Sequence, residues 1–172
     1  MNDRPLRTTR LELRPLPSAA AGALPDDRET AARLLGVVLP PAWPQADLLD
    51  VLPLQAAAAH SEERFGVWVV IERESKTVIG DIGFIGPPGE DNTVEIGYSV
   101  IPDRRGRGYA TEAARAFVDW ALRQPRVDSV VAGCDNKNVP SIRILEGIGF
   151  VRSSESDGQL RWRLETAHHD QG

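Results

Sequence analysis

Apolar and charged side chains alternate from Arg10 to Leu16, the period of a half-buried β-strand. Phe65 to Arg73 and Thr77 to Ile85 read as the arms of a β-hairpin across Glu74-Ser75-Lys76, and Val94 to Ile101 reads as a further strand. The period then changes. From Gly108 to Leu122, the positions Ala113, Ala114, Phe117, Val118 and Ala121 recur at helical spacing and predict an amphipathic helix on a sheet, ended by Pro125. Val127 to Cys134 is apolar and β-branched, the composition of a central strand. A helix over about Val139 to Glu146 follows. Strands are then expected at about Phe150 to Ser153 and Gln159 to Leu164, joined by a polar turn from Ser154 to Gly158.

The first third is more broken. Ala19 to Val38 is helix-prone but interrupted, and the prolines of Leu39 to Pro44 exclude a helix there. Asp47 is expected to cap a helix from about Leu48 to Arg64 that Pro53 kinks or divides. The first eight residues and the last seven are polar and expected to fray, leaving an ordered core from about residue 9 to 165 within a single domain spanning 1–172. Early helices, an antiparallel meander and a β-α-β unit make an α+β chain, and 172 residues suffice for one real core.

Composition narrows the chemistry. The formal net charge of −5 gives no general polyanion-binding surface, so nucleic acid is not an expected partner and a cationic acceptor fits better. A single cysteine, Cys134, excludes an internal disulfide and reads as a small buried hydrophobe. His60, His168 and His169 do not assemble into a metal set. No apolar run approaches the roughly 20 residues of a membrane helix. Without a signal-peptide core the expected location is the cytoplasm.

One segment carries a local exception to the acidity. Val94 to Ala114 runs strand, basic glycine bend, helix start. A helix N-terminus leaves about four N–H groups unpartnered, and with the helix dipole they attract a phosphate or pyrophosphate. Gly106 and Gly108 let the backbone approach an anion closely, and Arg104, Arg105 and Arg107 add positive charge. The spacing is neither that of a dinucleotide fingerprint nor that of a P-loop.

What fits is Arg-x-x-Gly-x-Ala, here Arg105, Gly108 and Ala110, together with Asn138, Ser141, Gly149 and Phe150 about thirty residues on. With these the chain resembles the GNAT superfamily of acyl-CoA-dependent N-acetyltransferases. The opening Thr9 to Leu16 resembles the RimJ/RimL-like branch, whose members acetylate N-terminal amines of ribosomal proteins. The resemblance implies a mixed, mostly antiparallel twisted sheet flanked by helices and splayed near its middle. It implies acetyl-CoA as co-substrate, no metal, and transfer to an amine by direct attack in a ternary complex. The acceptor is then a protein N-terminal amine. The alternatives are a small-molecule amine (aminoglycoside, amino acid or polyamine) or a non-catalytic acyl-CoA sensor. Homodimers occur in the family, but no interface is legible here.

The resemblance also distributes roles. The backbone from Arg105 through Gly106, Arg107, Gly108, Tyr109 and Ala110 to Thr111 would wrap the pyrophosphate, with at least one of Arg104 and Arg107 on phosphate. Ser99, Val100 and Ile101 would pair with the pantetheine arm, the Val100 amide polarising the thioester carbonyl. Asn138 would bond a cofactor amide or simply cap its helix. Many relatives carry a tyrosine seven residues after that asparagine as the acid; here the position is Leu145. Ser141 is the remaining acid candidate, equally a capping or pantetheine contact, and Tyr98 reads as core.

For proton removal the residues themselves point to Glu95. Alternation puts it with Gly97 and Ser99 on one face, and the two small neighbours leave room above it. The alternative is an exposed or salt-bridged carboxylate, with Asp81 on the next strand a second candidate and ordered water a third. Trp43 is a lid or wall of the acceptor pocket or plain packing. Trp68, Trp120 and Trp162 read as core or sheet surface, and Arg161 and Arg163 as exposed or paired.

Overall fold

In a computed structural model of the chain, residues 4–166 are described. His168, His169 and the side chain of His60 lie outside what is described. Eight strands form one mixed sheet among these residues: β1 (Leu6–Arg7), β2 (Leu11–Pro15), β3 (Val67–Glu72), β4 (Thr77–Phe84), β5 (Thr93–Val100), β6 (Ser129–Asp135), β7 (Val151–Ser156) and β8 (Gln159–Glu165). Their spatial order is β1-β2-β3-β4-β5-β6-β8-β7. The helices are α1 (Ser18–Ala23), α2 (Arg28–Leu35), α3 (Ala46–Leu49), α4 (Leu52–Ala57), α5 (Tyr109–Leu122) and α6 (Val139–Ile148).

All neighbouring strands are antiparallel except β5 and β6, which α5 connects as a parallel β-α-β unit. That parallel pairing stops early. It runs from Thr93↔Ser129 to Ile96↔Ala132, whereas β5 stays with β4 as far as Gly80↔Val100 and β6 stays with β8 as far as Asp135↔Gln159. The sheet therefore opens between Gly97–Val100 and the end of β6. This is the splay the family resemblance implies.

The apolar stripe of α5 closes one face. Phe117, fully buried, sits 5.5 Å edge-on from Trp68 and 4.9 Å from Phe84, ring centre to ring centre. Burying such a ring is worth about 2–3 kcal/mol, so this cluster anchors helix to sheet. By alternation Ile82, Phe84, Ile96, Tyr98 and Val100 point the same way, toward α5 and α6, and Asp81, Gly97 and Ser99 point to the opposite face, which the loop before α3 and α3 itself partly cover.

Several expectations need correction. Leu6 and Arg7, expected to fray, pair with Leu13 and Glu12 as an edge strand, because the turn at residues 8–10 is pinned to α5. The helix expected from Leu48 to Arg64 is three pieces: α3, α4 and a 3-10 turn at His60–Phe65. Gln45, not Asp47, occupies the N-cap of α3, and Pro53 starts α4, since a proline in the first turn removes no needed donor. The last hairpin is tighter than a five-residue link. β7 continues to Ser156, and Asp157 and Gly158 turn the chain with φ of 50° and 77°, a two-residue turn that suits the strand twist.

Candidate active site

Gly108 caps α5 in the left-handed conformation, with φ of 80°, and has no side chain to offer the helix. Gly106 is also left-handed, at 75°. Among the described residues nothing accepts from the N–H groups of Tyr109, Ala110 or Thr111, so the first turn of α5 keeps its donors for another partner. Below the bend the structure is fixed. Glu112 accepts from the Thr8 hydroxyl, from the Arg10 N–H at 2.9 Å and from the Arg10 Nε at 2.8 Å. The Tyr109 hydroxyl donates to Glu72 at 2.6 Å, and its ring lies 4.1 Å beneath the Arg10 guanidinium.

The three arginines of the bend divide. Arg104 ion-pairs with Glu72 and Asp103 and is committed to the scaffold. Arg105 turns back, donating from Nε to the Val100 carbonyl at 2.9 Å and from Nη2 to Gln45 Oε1 at 3.0 Å. The Arg107 side chain is exposed and makes no hydrogen bond or ion pair among the described residues.

Across the opening lies α6. Asn138 caps it, its Oδ1 accepting from the Ser141 N–H at 3.2 Å, while Asn138 Nδ2 has no partner among the described residues. The Ser141 hydroxyl meets the Tyr98 hydroxyl at 2.8 Å. Tyr98 is therefore not simply core, as its strand position suggested: its ring is half-buried and its polar tip spans the gap. Burial pushes its phenol above the ordinary range, with the Ser141 bond working in the other direction. Leu145, where many relatives carry tyrosine, is fully buried.

On the opposite face of β4 and β5 a second group assembles. Asp81 stands directly across from Ser99. The buried Trp43 indole donates to Asp81 Oδ2 at 3.0 Å, and Gln45 Nε2 donates to Ser99 Oγ at 2.6 Å. Arg28 of α2 holds this proline-rich loop by donating to the Trp43 and Pro40 carbonyls. Burial raises the Asp81 carboxyl to a pKa of about 6, against the Trp43 hydrogen bond and helped by Asp47. Further along the face, Glu95 faces Arg161 at 3.4 Å, the salt-bridged arrangement set against a base role. A side chain at Gly97 would meet only Ile85, so the trough between the two carboxylates is open.

Gln45 was missed in the sequence because its partners are 54 and 60 residues away. The Tyr98 contact had one available signal: a buried phenol needs a polar partner. Cys134 is buried and unpaired, Arg163 pairs with Glu165, and Trp68 and Trp162 are core. Among the described residues no cluster of His, Cys, Asp or Glu is arranged for a metal ion, and no helix is long and apolar enough to cross a membrane.

The comparisons bear on family and fold. The acetyltransferase (GNAT) domain family matches residues 10–151. The uncharacterized N-acetyltransferase YjdG of Bacillus subtilis is 28% identical over 160 residues, covering 91% of this chain and 95% of that one. The ribosomal-protein-S5-alanine acetyltransferase of Vibrio fischeri shares the fold with a TM-score of 0.71 at 18% identity, over 96% of this chain and 98% of that one. The microcin self-immunity acetyltransferase MccE, solved with acetyl-CoA and AMP, superimposes with a TM-score of 0.63 at 15% identity, covering 92% and 93% of the two chains.

Proposed function

Because the chain belongs to the GNAT acetyltransferase family, we propose that it moves an acetyl group from acetyl-CoA to a primary amine by direct attack in a ternary complex. The observation that carries this reading is the uncapped, arginine-flanked start of α5 beside the point where β5 and β6 part. When bound, acetyl-CoA supplies the activated acyl group. The chain's own residues hold, orient and move protons.

The backbone from Arg105 to Thr111 binds the pyrophosphate, with the free Arg107 guanidinium adding charge. Asn138 contributes Nδ2 to a cofactor amide, since capping uses only its Oδ1. The backbone edge of Ser99 to Ile101 pairs with the pantetheine arm. The basis is the register: Ile85 N–H donates to Glu95 O and Ile101 N–H to Ile79 O, so the Val100 amide turns toward the side β6 has left. That amide polarises the thioester carbonyl. Ser141, backed by Tyr98, returns a proton to the departing thiolate, so the hydroxyl pair replaces the tyrosine absent at Leu145.

A carboxylate on the far face, Glu95 or Asp81, takes the proton of the incoming amine. The acidity of this face supports an amine acceptor, and we carry forward a protein N-terminal amine, the acceptor class of RimJ/RimL-like enzymes. The test mixes the protein with acetyl-CoA and a panel of alaninamide, free-N-terminus peptides, Nα-acetyl-lysinamide, an aminoglycoside and a polyamine, following thiol release. Release with an α-amine supports the reading. Release only with a small-molecule amine replaces the acceptor, and coenzyme A binding without release from any member overturns transfer.

A further inference from the structure

We propose that Asp81, under the Trp43 indole, is the group that binds the acceptor ammonium and removes its proton. The inference rests on the acetyltransferase reading and identifies its acceptor pocket. Trp43 Nε1–H fills one carboxylate oxygen, Oδ2, and fixes the plane of the group, while no described residue bonds Oδ1. Among the described residues no cation pairs with this half-buried carboxylate. The charged groups facing it are Asp47 from α3 and, further along β5, Glu95; β3 contributes the buried Val69, β5 the neutral Ser99, and the loop the neutral Trp43 and Gln45. Arg105 reaches Gln45, and the salt bridge of Glu95 holds Arg161. A half-buried carboxylate beside another carboxylate, with no cation among the described residues, is costly unless a ligand supplies the charge. A primary ammonium does so.

Glu95 is the poorer site for this step because Arg161 already neutralises it. Ser99 connects Asp81 to the chemistry: it lies across from Asp81 and one residue from Val100, on the strand that borders the opening in the sheet. The step balances as follows. One proton passes from R–NH3+ to Asp81, giving neutral R–NH2 and a neutral carboxyl. The amine lone pair forms the C–N bond as the C–S bond breaks, the second amine proton leaves with the thiol, and Asp81 releases its proton to solvent.

The proton-removal step itself favours weak amines. An α-ammonium of pKa roughly 8 gives up its proton more readily than a lysine ammonium near 10, whatever the pKa of the carboxylate that takes it. α-Amines and similarly weak amines are therefore the expected acceptors in preference to lysine side chains.

The experiment uses alaninamide and Nα-acetyl-lysinamide with the full chain. Expected for the unsubstituted protein is a kcat/KM for alaninamide at least tenfold above that for Nα-acetyl-lysinamide, with an acid limb near pH 6. Asp81→Asn should lower alaninamide kcat/KM at least 100-fold and remove that limb, with Glu95→Gln costing less than tenfold. A readout free of turnover is calorimetric binding of alaninamide to the protein saturated with coenzyme A. It should tighten from pH 5 to 7 in the unsubstituted protein and weaken at least tenfold in Asp81→Asn. An Asp81→Asn variant within threefold of the parent rate, or amine binding flat from pH 5 to 7, overturns the assignment. Absence of thiol release from the unsubstituted protein with every amine overturns the acetyltransferase reading instead.

Discussion

The Tyr98 hydroxyl and the Ser141 hydroxyl lie 2.8 Å apart, one on the strand and one on the helix that flank the opening in the sheet. The contact makes a testable demand on proton return. Burial keeps the Tyr98 phenol protonated at neutral pH, so it is available to donate. Ser141→Ala should slow single-turnover acetyl transfer by roughly 100-fold, and Tyr98→Phe by roughly tenfold, within the usual range for general acids. The cap of α6 survives Ser141→Ala, because Asn138 accepts from the backbone N–H and not the hydroxyl. Coenzyme A affinity by calorimetry should therefore stay within a few-fold. A full-speed Tyr98→Phe enzyme would remove the phenol from the proton path.

The proposed binding of the pyrophosphate at the bend rests on Gly108 being left-handed. Gly108→Val places a β-branched side chain at φ of 80°, with its Cβ 3.4 Å from the Arg10 guanidinium. The strain is about 1–2 kcal/mol, and relieving it turns the first amides of α5 away. Coenzyme A affinity should fall at least tenfold by calorimetry. Gly36→Val is the control: it carries a similar penalty, at φ of 67° on the C-cap of α2, a different helix end. Equal loss of binding in both variants would reduce the effect to general destabilisation.

The open trough on the other face gives a steric test. Gly97→Leu adds a side chain whose Cβ meets only Ile85, at 3.5 Å, and Gly97 does not need a positive φ. The fold should persist, with Tm changed by a few degrees. KM for the amine should rise at least tenfold with coenzyme A affinity unchanged. Unaltered amine kinetics would place the acceptor elsewhere.

What was legible in the sequence was whatever has a local cause. The limits of α5 follow from its five apolar positions and from a glycine bend before it, and the β3–β4 hairpin from two apolar runs around a short polar turn. Pro53 was ambiguous because proline both breaks a helix interior and starts a new helix, and only tertiary packing selects between them. β1 has two residues and no period to detect. At the site the backbone loop was readable because glycines and a helix start are adjacent in sequence. The contacts on the proposed acceptor face were not: Trp43 meets Asp81 across 38 residues, and Glu95 meets Arg161 across 66. Such pairs leave no trace in spacing, so Asp81 and Glu95 look alike until the loop over one and the arginine beside the other are seen.

The demand Asp81 makes on the fold gives the last prediction, with its sign fixed by linkage. Its carboxyl pKa is raised from 3.8 to about 6 in the folded state, by burial first, opposed by the Trp43 bond and assisted by Asp47. Below about pH 4 both folded and unfolded chains hold this proton. Between about 4 and 6 the unfolded chain releases it while the folded chain keeps it, so this group's contribution to stability falls as pH rises through that window and is level above it. Asp81→Asn removes the titration, and the amide oxygen still accepts from the Trp43 indole. The variant should be more stable than the parent at pH 7, by on the order of 1–3 kcal/mol, with the difference shrinking toward zero as pH falls from 6 to 4. Thermal unfolding of the two proteins side by side across that range isolates the effect, since every other carboxyl is common to both. A parent as stable as the variant at pH 7 would mean that Asp81 is solvated after all, and a solvated carboxylate has no call on an ammonium.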